Sequence, residues 1–273
     1  MRWTLDTIDW DAFDASKVDE GLLQAVKAAS LVEFNAPDYV SYLCGVFADH
    51  PEMTKDFQQW GREEEQHGRA LAKWAKLADP SFDFEDAFSR FRKMQNIETG
   101  AVDSIRGSRA GEMVARCVVE SGTSSFYTAI KDATTEPCLR QVVTYMAADE
   151  FAHYRLFYQT LNAFSAAEPI SPAGRLKIAI SRLNEADDDE LAGAFYCANY
   201  SADSDVKYER NRFANAYFRE ALGVYRERHI NRVVSMILKA GGLSPQGWMA
   251  DRLCRLVWWM WTRRLAKLQV VAA

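Results

Sequence analysis

Residues 53–74 read MTKDFQQWGREEEQHGRALAKW, and this stretch carries the clearest structural pattern in the chain. Its apolar residues recur at steps of four and three, the spacing that places side chains on one face of an α-helix. That face contains Met53, Phe57, Trp60, Glu64, His67, Leu71 and Trp74. The stretch therefore predicts a helix that directs a carboxylate and an imidazole, three residues apart, toward the interior.

The same pattern occurs again in residues 139–164, which read LRQVVTYMAADEFAHYRLFYQTLNAF. One face here contains Leu139, Val143, Met146, Glu150, His153, Phe157, Leu161 and Phe164. Two other segments each place one acid on an apolar face, Glu33 within residues 23–44 and Glu120 within residues 113–127. Each acid precedes a Glu-x-x-His (ExxH) motif by about thirty residues, which indicates an internal repeat.

Four carboxylates and two imidazoles facing one core require a source of positive charge. An ionised carboxylate in an apolar interior costs several kcal/mol unless it is paired or coordinated. Two divalent cations would balance four carboxylates, and neutral imidazoles would complete the coordination. This ligand mixture favours iron, with manganese as the alternative, over structural zinc. The sequence predicts two ions bound by Glu33, Glu64, His67, Glu120, Glu150 and His153.

The composition predicts one helical domain. Of 273 residues, 48% are apolar, and no Pro-, Gly- or Ser-rich linker divides the chain. Breaks in the periodicity occur at Pro51, Pro80, Pro137, Pro172 and Pro245. We expect an all-α fold with a metal-binding core at about 18–166 and accessory C-terminal helices at about 172–269, including one long helix over residues 206–240.

Charge and cysteine usage restrict the cellular context. The net charge is −5, with basic and acidic residues interspersed, so no nucleic-acid partner is expected. The five cysteines are scattered without a CxxC pair, which fits reduced thiols and excludes a rubredoxin-like site within this chain. Acids interrupt the N-terminal MRWTLDTIDWDAFD, and no run of eighteen apolar residues occurs. We expect a cytoplasmic protein.

The repeat does not include the other two histidines or the two acids that flank Glu64. His50 stands at a predicted helix start and His229 lies in the charged run RERHINR, so both are expected at the surface or at helix caps. Glu63 and Glu65 flank the ExxH glutamate, but their helical angles turn them away from its face. We expect both acids to face solvent.

Four strings, taken together, carry a family resemblance: EFNAPDY at 33–39, EEEQHG at 63–68, ESGT at 120–123 and AADEFAH at 147–153. In order and spacing they resemble the metal-binding motifs of the soluble acyl-carrier-protein desaturases, a family within the ferritin-like superfamily. The resemblance covers about residues 20–165. It departs at Gln66, where the family string has Arg, and at Tyr154, where the family has an acid.

The resemblance implies a ferritin-like four-helix bundle with additional C-terminal helices, in which two irons activate oxygen to desaturate a fatty acyl substrate. One iron would be bound by Glu33, Glu64 and His67 and the other by Glu120, Glu150 and His153, with Glu64 and Glu150 as candidate bridges. By position, Thr123 matches a hydroxyl beside the oxygen site. Asp149 matches an acid that hydrogen-bonds a ligand histidine, and His67 is its candidate partner.

Other reactions of the same centre stay open. One is hydroxylation or N-oxygenation of a small metabolite, and another is iron oxidation or peroxide removal as in ferritins and rubrerythrins. No flavin, dinucleotide or CxxC signature is present, so an external electron donor such as a ferredoxin is implied. The substrate would be a hydrophobic acyl group, carried on acyl carrier protein in the resembling family, or a small molecule. A homodimer is also a candidate.

The last predicted helix, WMADRLCRLVWWMWTRRLAKL at 248–268, combines tryptophans with basic residues. We expect it to pack on the bundle with a basic exposed face. The partner of that face is open among an acidic carrier protein, a second copy of the chain and a membrane surface.

Overall fold

The computed structural model describes residues 2–95, 97–186 and 190–272, and these contain helices but no strand. The helices are α1 (Glu20–Phe34), α2 (Ala36–Val46), α3 (Pro51–Ala78), α4 (Phe84–Met94), α5 (Arg109–Ala133), α6 (Pro137–Phe164), α7 (Pro172–Ala186), α8 (Glu190–Asn199), α9 (Arg210–Leu222), α10 (Glu227–Ala240) and α11 (Trp248–Ala272). Short 3₁₀ turns precede α1. The predicted all-α fold is confirmed.

Prolines and capping side chains define where the long helices begin. Pro51, Pro137 and Pro172 are the first residues of α3, α6 and α7. Proline fits there because its missing N–H would have no partner within the helix. Glu136 accepts two backbone N–H groups of the first turn of α6, and Ser108 accepts one from the first turn of α5. These caps fix the register of two helices that carry candidate ligands.

The candidate ligands form a layer between two apolar clusters. In the central bundle, α1 packs along α3, and α5 packs along α6. The first cluster includes Leu71, Trp74, Phe126, Ile130 and Met146. The second includes Phe57, Trp60, Cys117, Phe157 and Leu161. Because α3, α5 and α6 contribute to both clusters, packed side chains enclose the ligand layer on both sides.

The apolar face predicted over residues 23–44 is divided between two helices. Pro37 lacks the backbone N–H that would continue the hydrogen bonds of α1. Accordingly α1 ends at Phe34, and Pro37 lies in the first turn of α2. This break leaves Glu33 in the last turn of α1, where its side chain is buried.

The prediction of one helix over residues 206–240 was wrong, because the chain forms α9 and α10 there. Gly223 follows the last residue of α9, and a Cβ at this position would collide with the backbone carbonyl of Arg219. The helices α7, α8 and α11 agree with the sequence-based expectation. None of the described helices combines the length and the hydropathy needed to cross a membrane.

The two histidines outside the ExxH motifs lie at helix starts. His50 is the N-cap residue of α3. His229 lies in the first turn of α10, where its Nδ1 accepts the backbone N–H of Arg226 at 3.0 Å and its Nε2 lies 2.9 Å from Asp132. The expected capping position is confirmed. His229 occupies its capping position while buried between α10 and α5, where Asp132 satisfies its other ring nitrogen.

Lys27 and Asp79 join α1 to the end of α3. Lys27 Nζ lies 2.5 Å from Asp79 Oδ2, and the Lys27 side chain is only 9% exposed. Replacing Asp79 with Asn is expected to lower the free energy of unfolding by about 1–3 kcal/mol at neutral pH, because the buried ammonium loses its counter-charge. Urea unfolding of both proteins measures this difference.

The effect of Asp79→Asn should depend on pH. Burial raises the pKa of Asp79, but hydrogen bonds from Lys27 and Ser81 outweigh it and lower the pKa to about 2. The stabilisation is therefore complete above the ordinary pKa of 3.8 and is lost as the pH falls toward 2. Glu52→Gln is the matched control, because Glu52 pairs with an exposed lysine, Lys55, and should change stability little. If both variants lost the same free energy of unfolding, the burial of Lys27 would not explain the effect of Asp79→Asn.

Candidate metal centre

All six candidate ligands are buried and converge in the bundle. One group consists of Glu33, Glu64, His67 and Glu150, and a second consists of Glu64, Glu120, Glu150 and His153. Within each group, one ligand atom per residue lies within 4.8 Å of the others. Glu64 and Glu150 belong to both groups. Residues selected by the repeat therefore form two adjacent sites that share two carboxylates.

The spacing of each ExxH motif lets one helix supply two side chains to the same layer. His67 Nδ1 lies 3.2 Å from Glu64 Oε2 on its own helix and 3.0 Å from Glu150 Oε1 on α6. His153 Nδ1 lies 3.1 Å from Glu64 Oε1 on α3. Both imidazoles thus turn Nδ1 toward the shared carboxylates.

An acid on the opposite helix holds the outer nitrogen of each imidazole. His67 Nε2 lies 3.3 Å from Asp149 Oδ2, the contact that the family resemblance implies, and His153 Nε2 lies 2.9 Å from Glu63 Oε2. A carboxylate at Nε2 favours the proton on that nitrogen and leaves Nδ1 as the metal-binding atom. Each acid immediately precedes the shared glutamate of its own helix. The two halves of the repeat therefore hold each other's histidine in a crossed arrangement.

The expectation that Glu63 faces solvent was wrong. It precedes Glu64 by one residue, a rotation of about 100°, which directs it sideways toward α6 instead of outward. Gln59 donates to its other carboxylate oxygen at 2.8 Å. The sequence contained a signal for this role, since an acid precedes the glutamate of both ExxH motifs. Glu65 is closer to the expectation, with a side chain 32% exposed that pairs with Arg69.

The N-terminal segment covers the contact between Asp149 and His67. Trp3 Nε1 donates to Asp149 Oδ2 at 2.7 Å, and the Trp3 ring stacks on the His67 ring with centroids 6.0 Å apart. Gln66 donates to the carbonyl oxygen of Trp3 at 3.1 Å. Trp3 is 3% exposed and closes this side of the site. Sequence reasoning missed it because its position has no spacing relation to the repeat.

Two hydroxyl groups of α5 bind carboxylates of the layer. Tyr127 donates its hydroxyl hydrogen to Glu33 Oε1, and Thr123 Oγ1 donates to Glu150 Oε2 at 2.6 Å. Two carbonyl oxygens of α5 lie farther from Thr123 Oγ1, at 3.4 Å. Burial, followed by the charge of Glu33, raises the pKa of Tyr127 well above its usual value, so it remains a donor. The role of Thr123 beside an oxygen-binding position stays a prediction.

The four carboxylates of the layer fall into two classes, one with raised and one with lowered pKa values. Burial, and then the charges of Glu64 and Glu150, raise the pKa of both Glu33 and Glu120 well above the usual range. Burial also raises the pKa of Glu64 and Glu150, but their contacts with the imidazoles outweigh it, and both values lie below the usual range. The shared carboxylates are therefore the ionised pair.

The imidazoles balance that charge when no metal is bound. Burial lowers the pKa of His67 and His153, but the surrounding carboxylates outweigh it and raise both values well above the usual range. These directions favour protonated imidazoles beside ionised Glu64 and Glu150, and protonated Glu33 and Glu120, in the metal-free layer. Metal ions entering the layer must displace these protons.

Several atoms of the layer have no hydrogen-bond partner among the described residues. They are both carboxylate oxygens of Glu120, Oε1 of Glu150 and Nδ1 of His153. The last two lie 3.0 Å from His67 Nδ1 and 3.1 Å from Glu64 Oε1, respectively, but outside hydrogen-bond geometry. A buried polar atom without a partner costs free energy, and native proteins contain few of them. All four atoms belong to the two candidate ligand groups. A cation in each group would satisfy them, and the carboxylate and imidazole donors suit iron or manganese.

No protein-family model matches the chain, and no curated protein matches it. The assignment of the site therefore depends on its geometry. That geometry is an all-helical bundle enclosing two carboxylate and histidine groups, which is compatible with a ferritin-like fold.

Asp149→Asn and Glu63→Gln form a matched pair of variants. Each removes the charge that holds Nε2 of one histidine, so each is expected to weaken the binding of one metal ion by about 10- to 100-fold and to affect the other ion less. Chelator competition with Mn(II), which resolves successive binding steps, measures both affinities. Glu65→Gln on the same helix is the control. Equal weakening of both ions in either variant would exclude the crossed arrangement.

Proposed function

We propose that the protein binds two iron ions in this centre and uses them to activate oxygen for the oxidation of an organic substrate. The observation that carries the proposal is that Glu64 and Glu150 belong to two buried groups at once, each completed by one histidine and one further glutamate. Ions that share two carboxylates lie close together, as in carboxylate-bridged di-iron bundles. Manganese is the alternative metal for the same donors.

Bound iron would supply the redox chemistry of oxygen, which amino-acid side chains do not provide. The chain's own residues would hold and shape that centre. Asp149 and Glu63 fix the histidine tautomers, Tyr127 holds Glu33, and Thr123 holds one oxygen of Glu150. The two apolar clusters limit the access of water and so limit side reactions.

Among the candidate reactions we favour desaturation of a fatty acyl substrate, with acyl carrier protein as its carrier. The support is the resemblance of the four motif strings to those of the acyl-carrier-protein desaturases. In this reaction the substrate loses two hydrogen atoms, and oxygen takes them up together with two electrons and two protons to form two water molecules. An external donor such as a ferredoxin would supply the electrons.

A turnover experiment tests the proposal. The iron-loaded protein, reduced by a chemical reductant or by ferredoxin and its reductase, is mixed with oxygen and a panel of acyl-carrier-protein thioesters and free fatty acids. Mass spectrometry of the acyl products should detect the loss of two hydrogen atoms. The Glu150→Gln variant is the control and should give no product.

Other outcomes of the turnover experiment would indicate one of the alternative functions. A product that gains one oxygen atom would indicate hydroxylation, and the panel should then be extended to small amines for N-oxygenation. Oxygen consumption that oxidises ferrous iron without changing any organic substrate would overturn the proposal in favour of a ferroxidase. Failure to bind iron at all would reject every one of these functions.

A further inference from the structure

The outward face of α11 carries large apolar and basic side chains and no acid. At about 100° per residue, one arc of about 140° contains ten exposed residues. They are Trp248, Met249, Arg252, Arg255, Leu256, Trp259, Met260, Arg263, Ala266 and Lys267, here called the basic–aromatic face. Its large apolar members are strongly exposed, from 50% for Met249 to 71% for Trp248. Monomeric soluble proteins rarely expose apolar patches of this kind without a function.

The opposite side of α11 is anchored to the protein. Ala250 and Cys254 are buried, and the Trp261 ring packs against the rings of Phe218 and Tyr225, with centroids 5.0 Å away in both cases. The helix therefore has a fixed orientation. The exposure of the basic–aromatic face follows from this packing.

The charge of α11 is opposite to that of the chain as a whole. Residues 248–269 contain five basic residues and one acid, Asp251, which gives a net charge of +4, whereas the whole chain carries −5. Asp251 lies outside the arc of the basic–aromatic face. This surface is therefore a local positive patch on an acidic protein, and its electrostatic attraction is for anions.

The basic side chains of the face are available to an external partner. The Arg252 guanidinium lies over the Trp248 ring at 5.1 Å, and that of Arg263 lies over the Trp259 ring at 4.7 Å. Within the described ranges, no carboxylate forms an ion pair with any of the four basic residues of the face. No described carboxylate therefore neutralises their charges.

We propose that the basic–aromatic face binds the surface of an anionic lipid bilayer, with α11 lying in the plane of the membrane. Tryptophan side chains prefer the interface between headgroups and acyl chains, and arginine and lysine pair with anionic headgroups. Helices with both features lie on membranes without spanning them. This inference does not depend on the metal centre, although a membrane site would bring the protein to acyl lipids.

Two other possible partners, a second copy of the chain and an acidic protein, fit the basic–aromatic face less well. A symmetric dimer through this face would bring the same basic residues of both copies together, and their repulsion opposes association. An acidic protein could neutralise the charges. However, the apolar side chains protrude between the charges along about 20 Å of helix. A folded partner would need a matching recess for each of them, whereas a fluid bilayer adapts to their shape.

Flotation with vesicles tests the proposal on the full, metal-loaded chain. We expect binding to vesicles of phosphatidylcholine with about one-third phosphatidylglycerol, weaker binding at high salt, and little binding to phosphatidylcholine alone. Each basic residue should contribute about fivefold to affinity, so the triple variant Arg252→Gln, Arg255→Gln, Arg263→Gln should bind on the order of a hundredfold more weakly. The matched charge control is Lys93→Gln, Arg140→Gln, Arg155→Gln, which removes three exposed charges elsewhere and should bind normally.

Brominated lipids test the role of the tryptophans separately. They should quench part of the protein fluorescence, and the double variant Trp248→Ser, Trp259→Ser should lose that quenching and bind vesicles more weakly. Val102→Ser, Ile105→Ser is the matched control, since both side chains are exposed on the connection between α4 and α5. Circular dichroism and metal content establish that each variant is folded.

Two results would overturn the proposal. One is the absence of binding to anionic vesicles by the folded protein. The other is vesicle binding that the triple variant retains in full. If vesicle binding is absent, self-association or binding to an acidic acyl carrier protein that the same variants abolish would assign the face to that partner instead.

Discussion

Glu150→Gln is expected to leave the folded protein without a tightly bound pair of iron ions, whereas Glu33→Gln should lose only one ion. Glu150 belongs to both ligand groups, and its substitution removes an anionic ligand from each. Glu33 belongs to one group. Anaerobic loading with Fe(II), removal of free iron and elemental analysis give the number of ions per chain, expected to be two in the unaltered protein.

Loss of iron through misfolding must be distinguished from loss of a ligand. Glu150 is an ionised partner of the imidazoles in the metal-free layer, so metal-free Glu150→Gln should be less stable to urea than the metal-free parent, while its circular dichroism should still be that of a helical protein. Added Mn(II) should stabilise the parent but not the variant. Retention of both ions by Glu150→Gln would mean that this carboxylate is not shared.

Metal affinity is expected to rise with pH, by up to about a hundredfold per pH unit for each ion, over the range in which both raised-pKa groups of its site hold their protons in the metal-free protein. The pKa values of His67 and Glu33 are raised in one group, and those of His153 and Glu120 in the other. Groups with raised pKa values keep their protons to higher pH in the metal-free site. Binding releases up to about two protons per ion, so acid favours the metal-free state.

Chelator competition with Mn(II) at several pH values measures this slope, and a pH indicator in weakly buffered solution measures the released protons directly. Glu33→Gln should lose the ion of its own group and therefore release about two protons fewer per chain. An affinity independent of pH, with no proton release, would show that the metal-free layer does not balance its charge with protons.

The helices and the ligand layer could be predicted from the sequence because the same residue spacing indicates both. Steps of three and four select a helical face, and Glu64 with His67 stands out because polar residues there are costly without a partner. Glu150 with His153 stands out in the same way, and the lone acids Glu33 and Glu120, each about thirty residues earlier, complete the repeat. Local spacing carries this information because each helix presents its own residues to the bundle.

Residues whose roles depend on contacts between separate segments were harder to predict from the sequence. Trp3 reaches Asp149 across 146 positions of the chain, and no periodicity relates the two. Glu63 lies off the apolar face of α3, and its partner His153 belongs to the neighbouring helix. The burial of His229 likewise depends on Asp132 of another helix. Such contacts depend on how helices are placed against one another, which composition and spacing do not specify.

The wide separation of the ligands along the chain has a consequence for biosynthesis. Glu33, Glu64 and His67 leave the ribosome while α6, which carries Glu150 and His153, has not yet been translated. A nascent chain at that stage contains three of the six candidate ligands, and the packing of α5 on α6 that closes the layer is not yet present. If the layer binds metal as proposed, stable capture of the ions therefore requires α6 to be synthesised first.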